Sequence, residues 1–182
     1  MALALSGTSN GSLNNLSLSG NTATIVDTGK AGTIVQVVTA TTNTSVSVTT
    51  TTYTDSTLTA SITPTSSSNK VLVMISQHVV WGRSVTGQGA GVQLLRGSTV
   101  IWRPAVDNTG PFLDYLSDVR DHYFLFNLTY LDSPATTSST TYKTQGRPYV
   151  SSSSGSFTMQ PTPGTGSDSP TTSTITLMEV VA

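Results

Sequence analysis

From Thr33 onward the chain alternates short runs of β-branched and aromatic residues with clusters of glycine, proline, serine and asparagine. The clusters recur about every ten residues, which is typical of β-sandwiches and β-barrels. No window places apolar residues at helical spacing, so the predicted helix content is near zero. We expect a single antiparallel β-sandwich, jelly-roll-like, of about eight to ten strands. The predicted strands are Thr33 to Thr39, Thr44 to Thr50, Thr57 to Thr63, Lys70 to Val80, Gly91 to Leu95, Thr99 to Arg103, Asp121 to Leu131, Ser139 to Gln145, Ser156 to Gln160 and Ser173 to Val181.

The alternation of side chains separates surface strands from buried ones. In Thr44 to Thr50 the apolar side chains Val46 and Val48 share one face, and hydroxyl side chains occupy the other, so one face is predicted to be in solvent. Two other strands, Lys70 to Val80 and Asp121 to Leu131, carry apolar side chains on both faces. We expect both of these strands to be buried on both faces, through sheet packing or through a subunit contact.

The first 32 residues differ from the rest of the chain. They are rich in glycine and asparagine, which favour turns, and they contain only two charged residues, Asp27 and Lys30. The sequence therefore predicts an extended N-terminal arm over residues 1–32 and a β-sandwich domain over residues 33–182. The candidate residues for anchoring the arm to a partner are Leu3, Leu5, Leu13, Leu16 and Leu18.

The composition favours assembly into an oligomer. Serine and threonine make up a third of the chain, and only 9% of the residues are charged. Exposed strand edges therefore have few charged side chains to keep other strands from pairing with them. A net charge of −1 also provides little repulsion between molecules. We expect the edges to be covered in a symmetric oligomer.

Several classes of protein are excluded by the same counts. The charge balance lacks the basic excess that nucleic-acid binding needs. No apolar run is long enough to cross a membrane as a helix, and the start of the chain lacks the basic residues of a secretory signal. The chain has no cysteine, which rules out disulfides and thiolate chemistry. No phosphate-binding loop or nucleotide fingerprint is present, and we expect no cofactor.

Catalysis is not expected either. The two histidines, His78 and His122, both fall in predicted strands, and Asp121 precedes the second. The chain contains so many serines that the presence of a serine, a histidine and an aspartate does not predict a catalytic triad. Such a triad is defined by the geometry of its side chains. There is no G-x-S-x-G motif. We interpret both histidines as core or interface residues.

A group of acidic residues could bind a metal ion. Oxygen ligands in a loop suit Ca²⁺, but the spacing fits no calcium-loop template. Ion pairs with Arg103 and Arg120 at a subunit contact are the favoured alternative. The acidic residues are Asp107, Asp114, Asp118 and Asp121.

Aromatic residues near the predicted turns have two interpretations. At loop tips they would stack on sugar rings of a host-surface glycan, and at interfaces they would anchor a partner subunit. For the two tryptophans, each beside an arginine at a strand end, we favour interface or core. The candidate residues are Trp81, Trp102, Tyr115 and Tyr149.

Four segments and an opening strand resemble a recurrent module of tailed-phage virion proteins, common in phages of cyanobacteria and other marine hosts. The resemblance covers roughly residues 32–182, and the order and spacing of the segments make it more specific than any one of them. The segments are GTIVQVV (32–38), SITPTSSSNKVLVMIS (61–76), GVQLLRGSTVI (91–101), YLDSPATTSSTTYKTQ (130–145) and STITLMEV (173–180).

The resemblance implies a trimeric β-sandwich domain at the outward end of a fibre, a spike or a capsid decoration, and it carries over no catalytic residue. Modules of this kind that close long fibres follow a long shaft, whereas about 31 residues precede the module here. The first hypothesis is therefore a homotrimeric decoration protein on the outer surface of a phage capsid, bound to the major capsid protein. The alternative is a receptor-binding module of a tail fibre, tail tip or baseplate that recognises host-surface glycans.

Overall fold

A computed structural model of the chain describes residues 30–83, 89–104, 121–149, 155–162 and 171–182. This part of the chain is all-β, with ten strands and no helix, so the predicted fold class is confirmed. Each strand coincides with one predicted from the sequence, within a few residues at either end. The strands are β1 (Ile34–Thr42), β2 (Val46–Val48), β3 (Thr54–Ile62), β4 (Lys70–Arg83), β5 (Ala90–Arg96), β6 (Thr99–Trp102), β7 (Asp121–Asp132), β8 (Thr140–Pro148), β9 (Gly155–Met159) and β10 (Ser173–Val180).

Two antiparallel sheets form the sandwich. The four-stranded sheet has the order β3-β8-β5-β6. In the six-stranded sheet the long strand β4 pairs with β7 along one side, and with β10 and then β9 along the other. β1 continues this sheet beyond β10, and β2 continues it beyond β9. Among the described strands, β7 is therefore an edge strand with a single neighbour.

The core lies between the two sheets. Alternate residues of β4 and β10 meet alternate residues of β3, β5 and β8, as the period of two in the sequence requires. The largest buried side chains are Trp81, Tyr142, Phe126 and Phe157, which are at most 1% exposed.

The outer faces of β4 and β7 differ from the sequence prediction. The inner face of β4 is buried and that of β7 is buried or partly buried, but the outward side chains Met74 and Leu125 are 42% and 49% exposed. No second sheet of the described chain covers them. Packing between sheets therefore does not bury the outer faces of these strands, and burial through a subunit contact, the other predicted possibility, stays a prediction.

The two ends of the sandwich are distinct. The residues just before β1 lie next to the end of β10. The Gly32 amide donates a hydrogen bond to the Val181 carbonyl (2.8 Å), and the Val181 amide donates one to the Thr33 carbonyl (2.9 Å). We call this the arm end. β4 starts there, because Lys70 lies opposite Val180. At the opposite end, the far end, β4, β6 and β8 finish and β3, β5, β7 and β9 begin.

Two polar contacts hold the arm end together. In the first, Arg96 Nη1 lies 3.0 and 2.9 Å from the two carboxylate oxygens of Asp132, and the hydroxyl of Tyr142 donates to Asp132 Oδ2 at 2.7 Å. Asp132 is buried, so the ion pair and the hydrogen bond act where water competes little. This contact connects the Leu-Leu-Arg-Gly hairpin with the Leu-Asp-Ser-Pro turn.

The second contact involves the buried carboxylate of Glu179. Its Oε1 accepts hydrogen bonds of 2.7 Å from the Thr65 amide, the Thr65 hydroxyl and the Asn69 side chain. Burial raises the pKa of Glu179, but these hydrogen bonds outweigh burial and hold the pKa below its ordinary value. The carboxylate thus fastens the turn between β3 and β4 to the last strand.

Candidate functional site

The outer face of the six-stranded sheet carries a group of exposed large apolar side chains. They lie on β1, β4 and β7, and each is 42 to 56% exposed. We call this surface the apolar face. Its members are Ile34, Val37, Met74, Tyr123, Leu125 and Leu131.

The strand register makes this surface continuous. Val37 lies opposite Met178, Met178 opposite Leu72, and Leu72 opposite Leu131. One row of four apolar residues therefore crosses β1, β10, β4 and β7. Neighbouring strands are ~4.8 Å apart, so these side chains are in reach of one another. Large exposed patches of this kind mark interaction sites on soluble proteins.

A shallow cavity of about 310 Å³ lies in the middle of the face. Small polar side chains such as Ser76, Thr129 and Thr174 line it, with Met74 beside them. A projecting side chain of a partner would fit into a depression of this shape.

Charged side chains are confined to the ends of the apolar face within the described part of the chain. Lys70 lies at the arm end, and Asp121 lies opposite Gly82 at the far end. Interface cores are depleted of charge because each buried ion must lose its water. The centre of this face meets that requirement.

The edge of β7 adds a second binding element. This strand is 12 residues long, and its only described neighbour is β4. The N–H and C=O groups along a sheet edge can pair with another strand. Exposed apolar side chains and, among the described strands, an edge position thus occur on the same strand.

A separate cluster of arginine and tyrosine side chains lies at the far end of the four-stranded sheet. The guanidinium carbon of Arg147 lies 4.7 Å from the ring centre of Tyr53 and 5.1 Å from that of Tyr149. Arg103 approaches the Tyr53 ring at 5.3 Å. We call these four residues the Arg–Tyr cluster. Burial raises the pKa of the Tyr53 hydroxyl above its ordinary value, so the phenol is neutral at physiological pH.

Three of the four candidate aromatic residues are described by the structure, and they lie in different environments. Trp81 is 1% exposed and inside the core, and is not accessible to a ligand. Trp102 packs on Phe126 with a ring separation of 5.8 Å, at the margin of the core. Tyr149 belongs to the Arg–Tyr cluster. Tyr115 and the five arm leucines lie outside the described residues.

Sequence reasoning missed several residues of both surfaces. Tyr53 and Arg147 were not candidates, although each stands at a strand end as the chosen aromatics do. Val37, Met74 and Leu125 were assigned to strands but not to a binding face. The apolar residues on both faces of β4 and β7 were the available signal for it.

The described residues show no arrangement for metal binding. No group of three or more His, Cys, Asp or Glu side chains that could hold a metal occurs among them. Three of the four predicted acidic residues, Asp107, Asp114 and Asp118, lie outside the described ranges. No helix in the described ranges is long and apolar enough to cross a membrane.

Comparisons with known proteins find distant similarity only. No protein-family model and no curated protein matches the sequence. Among solved structures, the infectious bursal disease virus VP2 subviral particle is 19% identical over 81% of this chain and 38% of that chain, with a TM-score of 0.37. The Gx strain structure of that virus is 18% identical (81% and 37% covered, TM-score 0.37), and the Gt strain structure is 14% identical (92% and 42%, TM-score 0.32). This chain therefore spans about two fifths of each viral chain. Scores this low carry no argument about the role of this protein.

Proposed function

We propose that the protein is a non-enzymatic structural component of a virion surface, a homotrimeric decoration protein that binds the major capsid protein of a phage capsid. The observation that supports this proposal best is the apolar face, together with the edge position of β7 among the described strands. The resemblance of residues 32–182 to phage virion modules supports it independently. In the proposed trimer, the apolar face of each subunit packs on its neighbour, and the arm reaches the capsid from the arm end.

The dimensions of the face suit a stable subunit contact. β4 and β7 pair over twelve residues, about 40 Å at ~3.3 Å each, and β1 and β10 pair over eight, about 26 Å. With ~4.8 Å for the width of each strand, the four strands cover roughly 630 Å². A standard interface buries ~800 Å² per partner, so the face supplies most of the area that a subunit contact needs.

Replacement of Leu125 by lysine tests the subunit contact. The wild-type protein is expected to sediment as three copies of the 18.9-kDa chain. Leu125→Lys places an unpaired charge within the proposed interface, on the outer face of β7, which costs several kcal/mol, so the variant is expected to sediment as a folded monomer. The measurement is sedimentation velocity, with circular dichroism to verify the β-sheet content.

The matched control is Thr99→Lys, which adds the same charge at an exposed position of β6 in the other sheet. It should remain trimeric. A wild-type protein that is monomeric at every concentration, or loss of the trimer in both variants, would contradict the proposed contact.

A second candidate function is recognition of a host-surface receptor by a tail or fibre module. The position of the Arg–Tyr cluster favours it, because the cluster lies at the far end, opposite the arm end. If the arm binds the particle, the cluster points outward. This arrangement is what a receptor-binding protein requires.

A count of copies per virion separates the two functions. Decoration of the capsid is expected to give hundreds of copies, measured by quantitative mass spectrometry against the major capsid protein. A few to a few dozen copies would instead place the protein on the tail and favour receptor binding.

A further inference from the structure

We infer that the Arg–Tyr cluster is a binding site for an acidic saccharide, a sugar that carries a carboxylate. This inference rests on the second candidate function and does not depend on the trimer. Three features of the outer face of the four-stranded sheet carry it: positive charge that no described acidic side chain pairs with, a pre-ordered row of polar groups, and tyrosine rings beside the guanidinium groups.

The charge at the site is not balanced within the described part of the chain. The nearby acidic residue, Asp55, already accepts hydrogen bonds of 2.8 Å from Lys143 and from Gln145. No acidic side chain in the described ranges forms an ion pair with Arg103 or Arg147. Among the described residues Lys143 pairs with Asp55, so Arg103 and Arg147 add two further positive charges to this face.

A row of hydrogen bonds crosses the sheet and orders the site. The Gln145 amide donates to Asp55, the Gln93 amide donates to Gln145 (2.6 Å), and Arg103 Nε donates to Gln93 (2.9 Å). Each amide is therefore fixed in orientation from the carboxylate at one end to the guanidinium at the other. Arg103 is held by its Nε, and its terminal nitrogens have no hydrogen-bond partner among the described residues. They can pair with a carboxylate through two parallel bonds.

Arg147 and Tyr53 form the floor of the site. Arg147 Nη1 donates to the Thr51 carbonyl at 2.8 Å, which holds the guanidinium against the Tyr53 ring. The Tyr53 hydroxyl lies over Gly91, where a Cβ atom would approach it to 3.1 Å. Because Gly91 has no Cβ atom, Tyr53 can lie close to the sheet at this position.

Aromatic rings lie beside both guanidinium groups. The Tyr53 ring contacts Arg103 and Arg147, and the Tyr149 ring contacts Arg147. A sugar ring has polar hydroxyls and apolar C–H faces, so a site that combines a guanidinium, amides and half-buried aromatic rings matches it. A bare phosphate or sulfate would use the arginines but not the rings.

The test measures binding of trigalacturonate to the purified full-length protein by isothermal titration calorimetry. A neutral galactose trisaccharide serves as the uncharged ligand. The wild type is expected to bind trigalacturonate at least about tenfold more tightly than the neutral sugar, as a charged hydrogen-bonded pair predicts. Arg103→Gln is expected to remove this preference, since it deletes the guanidinium and keeps a polar side chain.

Lys143→Gln is the matched control. It removes one positive charge from the same sheet face, but that charge already belongs to the pair with Asp55. Its affinity should stay within about twofold of the wild type. Thermal unfolding of each variant verifies the fold.

Three results would overturn the inference: no binding of trigalacturonate, equal loss of affinity in both variants, or displacement of the sugar by inorganic phosphate at equal concentration. A negative result in this binding experiment would not change the sedimentation result or the number of copies per virion. It is therefore distinguishable from failure of the proposed function.

Discussion

Replacement of Asp132 by alanine is expected to lower the free energy of unfolding by about 3 to 4 kcal/mol. The carboxylate is buried and pairs with Arg96 while it accepts the hydroxyl proton of Tyr142. Its removal leaves the fully buried Tyr142 hydroxyl without an acceptor and Arg96 without its counter-ion. For a chain of this length the melting temperature should fall by about 10 °C. Denaturant titration at fixed protein concentration measures the change.

An exposed ion pair in the same chain provides the control for Asp132. Lys143 and Asp55 lie 2.8 Å apart, but the Asp55 side chain is 52% exposed. Pairs in solvent contribute at most about 1 kcal/mol, so Asp55→Ala should be nearly neutral. Equal effects of the two substitutions would show that burial does not strengthen the contact of Asp132 with Arg96 and Tyr142.

Replacement of Gly146 by alanine is expected to destabilise the fold by about 3 kcal/mol. Gly146 lies on the inner face of β8, and a Cβ atom there would overlap the Phe157 ring and lie 2.9 Å from Met159 Sδ. Both neighbours are completely buried, so neither can move into solvent. In a strand without such an overlap, alanine is more stabilising than glycine. A strong loss of stability would therefore be caused by the overlap.

The partner substitution Phe157→Leu tests this explanation. Leucine lacks the ring atoms that would overlap the new methyl group, so Gly146→Ala should cost much less in the Phe157→Leu background. A double-mutant cycle by chemical denaturation gives the coupling energy, expected to be at least about 1 kcal/mol. Strictly additive effects would mean that the backbone, and not the ring, causes the loss.

Most of the fold was predictable because strands have local signals. Two examples are the strand predicted from the alternation of Val46 and Val48 with hydroxyl residues and the hairpin predicted from the glycine between Leu95 and Val100. Both predictions use only residues that are neighbours in the chain. Gly97 indeed has a positive φ of 58°. The ten strands of the described residues, the absence of helix among them and the sandwich class follow from such patterns.

The binding surfaces were predicted less well because they depend on which strands become neighbours. The apolar residues of β7 were recognised, but only the strand order shows that β7 is at an edge and that its outer face is uncovered. Similarly, Tyr53, Arg103 and Arg147 come from β-strand ends that are far apart in the sequence. Their meeting requires β3, β8, β5 and β6 to assemble in that order.

The amino-acid sequence by itself determined the strand positions and the sandwich class, and the burial of apolar strand faces by a partner subunit stays a prediction. Hydrophobic alternation and turn residues act over a few residues, so one sequence is enough to reveal them. Only the tertiary structure decided that Arg96 pairs with Asp132, that Glu179 holds the turn at Thr65 and Asn69, and that the apolar face and the Arg–Tyr cluster exist. These contacts join residues distant in the chain, and they form only when strand order and register bring them together.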